Sequence, residues 1–99
     1  MNPTKVVREN VVKLTDLPNV GKTVAADFAK IGITRPEQLR GEDPYDLYVR
    51  FCKAFGEKQD PCMLDVLMSV TDFMNGADAK VWWDYTAERK VRYGEKIRV

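Results

Sequence analysis

Gly21, Lys22 and Thr23 bring together a backbone with no side chain in the way, a cation and a hydroxyl. Those residue types suit holding an oxyanion better than breaking a bond. They sit in "LTDLPNVGKTVAADFAKIGI", where Pro18 and Asn19 form a tight turn ahead of a helix expected to begin at about Gly21. A helix N-terminus carries amide hydrogens without intrahelical acceptors and a partial positive charge, so a phosphate oxygen placed there is hydrogen-bonded in place of water. Gly21 allows that close approach, and Asn19 tolerates the left-handed backbone such a turn can require. Lys13 and Lys30, on the flanking segments, would extend the contact. A second reading stays open: Pro, Asn and Gly are also what any tight helix-to-helix turn uses.

Other chemistries find less support. The chain has no histidine, which removes histidine-based catalysis and most zinc sites. Cys52 and Cys62 are the only cysteines; Cys62, expected in the first turn of a helix, is the better candidate for a lowered thiol pKa. With Asp60 and Asp65 they would make an unusual metal site, and no metal or cofactor is expected. Among the acidic residues Asp43, Asp46, Asp60, Asp65, Asp72 and Asp78, the first and third read as helix caps and the others as solvated positions, which leaves a carboxylate nuclease little basis. Trp82, Trp83 and Tyr85 lie beside Lys80, Arg89, Lys90 and Arg92, a mixture able to stack bases and meet phosphates. Neighbouring helical positions point about 100° apart, so one tryptophan is expected to cover the core and the other to be free for contact.

These candidates need helices to carry them, and the chain reads as all-α: apolar residues recur at spacings of three and four, with no sustained alternation. Five to six short helices are expected. The first runs from Pro3 to about Leu14 and the second from Gly21 to Lys30, with Val20, Val24, Phe28 and Ile31 as its apolar stripe. A short third follows "TRPE", with Thr34 as cap and Glu37 closing a capping box. Asp43 and Pro44 open a fourth that ends at Gly56, and Asp60 and Pro61 open a fifth that ends at Gly76. One domain over residues 1–88 is expected, then a basic, flexible tail over 89–99. Helix, turn, helix occurs twice in this scheme, which would make Phe55 to Pro61 a degenerate second hairpin.

Net charge is only +1, but it is unevenly spread. Residues 1–40 carry +3, residues 41–78 carry −5 and residues 79–99 carry +3, so a polyanion would meet the first forty residues and the tail. No apolar run is long enough to span a bilayer and the first ten residues lack the apolar core of a signal peptide; a cytoplasmic location without membrane contact is expected.

"LPNVGKTVAADFAKIGI" resembles a helix-hairpin-helix motif, found in repair enzymes, ligases and polymerases, whose hairpin amides contact a DNA backbone phosphate without reading sequence. Asn19 stands where that family usually has a second glycine. More narrowly, the hairpin together with "LRGEDPYDLYVRFCKAFGEKQDPCMLDVL" and "WWDYTAERK" is similar to the small bacterial proteins of the pathogenicity locus family, some of which carry the name mitomycin resistance protein. The resemblance implies a helix-hairpin-helix (SAM-like) fold and no established reaction. The expected function is therefore a non-enzymatic, non-sequence-specific DNA-binding module, with Asn19, Gly21, Lys22, Thr23, Lys13 and Lys30 at the phosphate and Trp82 and Trp83 as aromatic contacts. A protein-interaction module on the same scaffold is the alternative, and no small-molecule substrate is evident.

Overall fold

Proline and aspartate open two of the α-helices where the sequence places them. In the computed structural model, which describes residues 2–97, Pro44–Phe55 follows an Asp43 cap and Pro61–Met74 follows an Asp60 cap. We number the α-helices α1 (Lys22–Lys30), α2 (Pro44–Phe55), α3 (Pro61–Met74) and α4 (Thr86–Ile97). Short 3-10 turns occupy much of the rest, and no strand occurs among the described residues.

α3 is the centre of the molecule. Leu64, Leu67, Met68, Val70 and Phe73 are buried on it, together with Asp65, Ser69 and Thr71, so it is covered on nearly all sides. α2, α4, the 3-10 turn Pro36–Leu39 and the 3-10 turn Trp82–Tyr85 all pack against it. α1 joins through Phe28, fully buried and 5.5 Å from the Phe51 ring of α2.

Residues 3–14 depart from the expected first helix. Two 3-10 turns, Pro3–Lys5 and Arg8–Asn10, are separated by extended Val6 and Val7, and Val11 is extended again before a third turn, Leu14–Asp16. β-branched valines favour extended backbone, and a longer-range interaction fixes the path. The Arg8 guanidinium donates to the carbonyls of Phe73 and of Ala77 (2.7 Å for the latter) and lies 4.0 Å over the Phe73 ring, supplying a cation to the C-terminal end of α3. With no first helix, the expected internal duplication is absent. The capping box after Gly32 is also shifted by one: Gln38, not Glu37, accepts from the amides of Thr34 (2.7 Å) and Arg35 (2.9 Å).

The segment expected as a tail is the body of α4 as far as it is described, and Arg98 and Val99 lie outside the described residues. Tyr93 and Ile97 are buried. Arg89 donates at 2.7 Å to the fully buried Asp65 of α3, whose other oxygen accepts from the Thr86 hydroxyl at 2.7 Å. This ion pair binds α4 to the central helix. No helix among the described residues is long and apolar enough to cross a membrane.

Candidate nucleic-acid interface

The turn before α1 is held from below. Leu17 and Val20 are buried at 0% and 2% exposure and Pro18 is buried between them, so the hairpin is anchored to the core by its apolar residues. Asn19 takes a left-handed backbone, φ +66°, the only positive φ of a non-glycine residue among those described. That bend turns the chain so that Gly21 becomes the cap of α1 in an extended conformation, φ −95° and ψ −171°. Gly21 therefore needs no left-handed freedom. Its use is openness: an added Cβ would meet nothing within 4 Å.

No side chain caps α1. The first bond of the helix runs from the Ala25 amide to the Gly21 carbonyl at 3.0 Å, so the amides of Lys22, Thr23 and Val24 have no intrahelical acceptor. Gly21, Lys22 and Thr23 are all exposed. The starts of α2 and α3 differ: the Asp43 carboxylate accepts from the Asp46 amide at 3.2 Å, and the Asp60 carboxylate accepts from the Cys62 amide at 2.8 Å. Each of those termini already holds an anion from its own chain. The expected second hairpin, whose turn passes through left-handed Gly56 to Asp60, is closed to phosphate in this way.

Asn19 does a different job from the one its position in the motif led us to expect. Its carboxamide nitrogen donates to the Ser69 hydroxyl (2.9 Å) and the Lys80 carbonyl (2.8 Å), and its oxygen accepts from the Trp82 amide (3.2 Å). Both ends of the side chain are occupied within the protein, so the Asn19 carboxamide positions the hairpin. Sequence reasoning missed the partners, Ser69 and Lys80, because each lies fifty or more residues away. The same bonds bring the tryptophans to the turn. Pro3, Asn19, Val20, Gly21, Trp82 and Trp83 line one cleft of about 360 Å³. Trp82 is half-buried and Trp83 is 59% exposed, and both line this cleft, in place of the expected split between a core-covering tryptophan and a free one.

Other candidates lie elsewhere. Lys30 is eight residues along α1 from Lys22, about 12 Å at the helical rise, and its ammonium sits 4.5 Å over the Phe55 ring. Lys13 is exposed beside a separate groove lined by Ala25, Ala26, Ala29 and Thr34. Arg89 is committed to Asp65, Arg92 pairs with Glu88 at 2.8 Å, Lys90 lines a separate groove with Pro61 and Gly94, and Tyr85 is buried with the Lys80 ammonium 5.8 Å over its ring; of the expected stacking-and-cation cluster only the two tryptophans share the cleft. The Cys62 thiol shifts opposite to expectation: burial, then the hydrogen bond and charge of Asp60, push its pKa up. Among the described residues no group of three or more acidic, cysteine or histidine side chains could hold a metal ion.

Residues 7–91, which include the tight turn and the uncapped α1, match the pathogenicity locus family model, and the chain belongs to that family. It is 53% identical over 77 residues, 78% of this chain and 73% of the relative, to the mitomycin resistance protein McrB of Streptomyces lavendulae. No solved structure matches it significantly.

Proposed function

We propose that this protein is a cytoplasmic, non-enzymatic DNA-binding module that grips backbone phosphate without reading sequence, through a helix-hairpin-helix-like turn at Asn19 to Thr23. The observation that carries the reading is the open start of α1: amides without acceptors behind exposed Gly21, while α2 and α3 are closed by Asp43 and Asp60. A phosphate oxygen there accepts from backbone N–H groups in a favourable helix field, with Lys22 and the Thr23 hydroxyl alongside. Contacts of this kind fix position on the backbone and carry no sequence information. Few cations take part, so affinity is modest and falls with salt.

The test is fluorescence anisotropy with labelled duplexes of unrelated sequence, wild type against Lys22→Glu, beginning at about 50 mM salt. The expected result is salt-sensitive binding, weakened to a similar degree for every sequence by the substitution, with a salt slope lower by about one. Binding no better than background, or indifferent to Lys22→Glu, removes the reading. Interaction with a protein is the second reading, favoured by Val91, 87% exposed on α4. We extend to this chain the property in its relative's name: expression in a mitomycin-sensitive host raises survival, and Lys22→Glu abolishes the gain.

A further inference from the structure

We propose that the cleft between the hairpin and the Trp82–Trp83 pair receives an unpaired nucleobase, so that the protein prefers DNA with a single-stranded segment beside the phosphate held at α1. The inference rests on the phosphate reading above and adds to it the class of DNA.

The two indoles meet edge to face, ring centroids 5.4 Å apart and planes at 85°. They form a corner of the cleft, whose lining also includes Pro3, Val20 and Gly21. Its volume, about 360 Å³, falls within the range of pockets that take small planar ligands. A large exposed aromatic such as Trp83 is costly in water and gains most from a flat apolar partner. A base in a duplex has both faces covered by its neighbours, whereas an unpaired base offers a free face, and stacking on tryptophan is tolerant of base identity.

Position and charge select the same occupant. Gly21 belongs both to the cleft wall and to the start of α1, so a strand whose phosphate sits on the α1 amides has its adjoining base at the mouth of the cleft. The lining contains no charged side chain, and exposed Lys22 follows Gly21 at the start of α1, where the phosphate sits. Asp84 follows Trp83 in the chain but does not line the cleft. The cleft is also held in shape: Asn19 ties the hairpin to the Lys80 carbonyl and the Trp82 amide.

Trp82 and Trp83 are the chain's only tryptophans, so its tryptophan emission reports on this cleft alone. Oligothymidylate is expected to quench that emission. A duplex with a single-stranded tail is expected to bind more tightly than the same duplex with blunt ends, and Trp83→Ala to lower this preference by about 5- to 150-fold. A tail of abasic residues tests the same contact without altering the protein and is expected to remove the preference. Lys22→Glu should weaken both duplexes and leave their ratio unchanged. Equal affinity of wild type for tailed and blunt duplexes, a preference that survives Trp83→Ala or the abasic tail, or emission indifferent to oligothymidylate as a protein-docking cleft would give, overturns the proposal. In those cases weakening of the blunt duplex by Lys22→Glu still upholds the hairpin reading, whereas failure of wild type to bind either duplex overturns both.

Discussion

In Asn19→Ala the hairpin loses three hydrogen bonds, and an alanine must hold a φ of +66°. The bonds do not count equally. The Lys80 carbonyl belongs to an exposed residue and can rehydrate, so its bond contributes at the low end of about 0.5–1.5 kcal/mol. The Ser69 hydroxyl is buried but keeps its own bond to the Val66 carbonyl at 2.7 Å, so it loses only a donor to its lone pair. The Trp82 amide is left without this acceptor in a part-buried position, which costs about 1–3 kcal/mol. Together these give a loss of about 2–4 kcal/mol, to which the left-handed backbone adds about 1 kcal/mol for alanine. Against a total of roughly 5–15 kcal/mol for a domain, that is a large share. Urea denaturation of wild type, Asn19→Ala and Asn19→Gly measures it. Glycine relieves the backbone and restores no bond, so it should recover no more than about 1 kcal/mol relative to alanine. If both variants lie within about 0.5 kcal/mol of wild type, as at an ordinary surface position, the carboxamide does not hold the hairpin. Full stability in Asn19→Gly would locate the whole cost in the backbone.

Two further perturbations probe the frame. Arg89→Met leaves the Asp65 carboxylate buried without its cation and should cost about 3–5 kcal/mol in urea denaturation, while the double variant Asp65→Leu with Arg89→Met should recover most of that loss; a double variant as unstable as the sum of its parts would refute it. The hydrogen bond from the Cys62 amide holds the Asp60 carboxyl below its ordinary value of 3.8, so its contribution is present above that pH and is lost as the pH falls through the lower native value. Thermal unfolding of Asp60→Asn should therefore decline less steeply than wild type below pH 3.8, and equal slopes would contradict this.

Local signals carried much of this fold. Asp43 with Pro44 and Asp60 with Pro61 mark the starts of α2 and α3 because capping and a fixed proline φ act within one turn of chain. Residues 3–14 were misread because their path is set by the Arg8 bonds to Phe73 and Ala77, more than sixty residues away. α4 was misread because charge hid its inner face. Tyr85, Arg89, Tyr93 and Ile97 recur every fourth residue and point inward, but an arginine counts as an apolar-face position only once its partner, buried Asp65, is known. The site followed the same rule. Gly21 is legible as an open cap from its own chemistry, whereas the bonds that join Asn19 to Ser69, Lys80 and Trp82 belong to the tertiary fold.

The acidic middle of the chain then has a structural reason that bears on where an anion can go. Asp43 and Asp60 each accept from one amide at the starts of α2 and α3, and buried Asp65 neutralises Arg89 beneath α4, so part of the −5 of residues 41–78 is directed at the protein's own donors, which would otherwise invite a phosphate. α1 has no acidic residue in its first turn and carries Lys22 there instead. Net charge near zero is thus compatible with a localised anion site, because a phosphate oxygen at α1 responds to donors and charges within a few ångströms, and more distant exposed charges are screened over about 8 Å at physiological salt. Moving a carboxylate to this terminus, as in Gly21→Asp, would make α1 resemble α2 and α3; it should stabilise the helix by about 0.3–1 kcal/mol while weakening duplex binding. That opposition of signs separates an anion site from an architectural turn, for which stability alone would change.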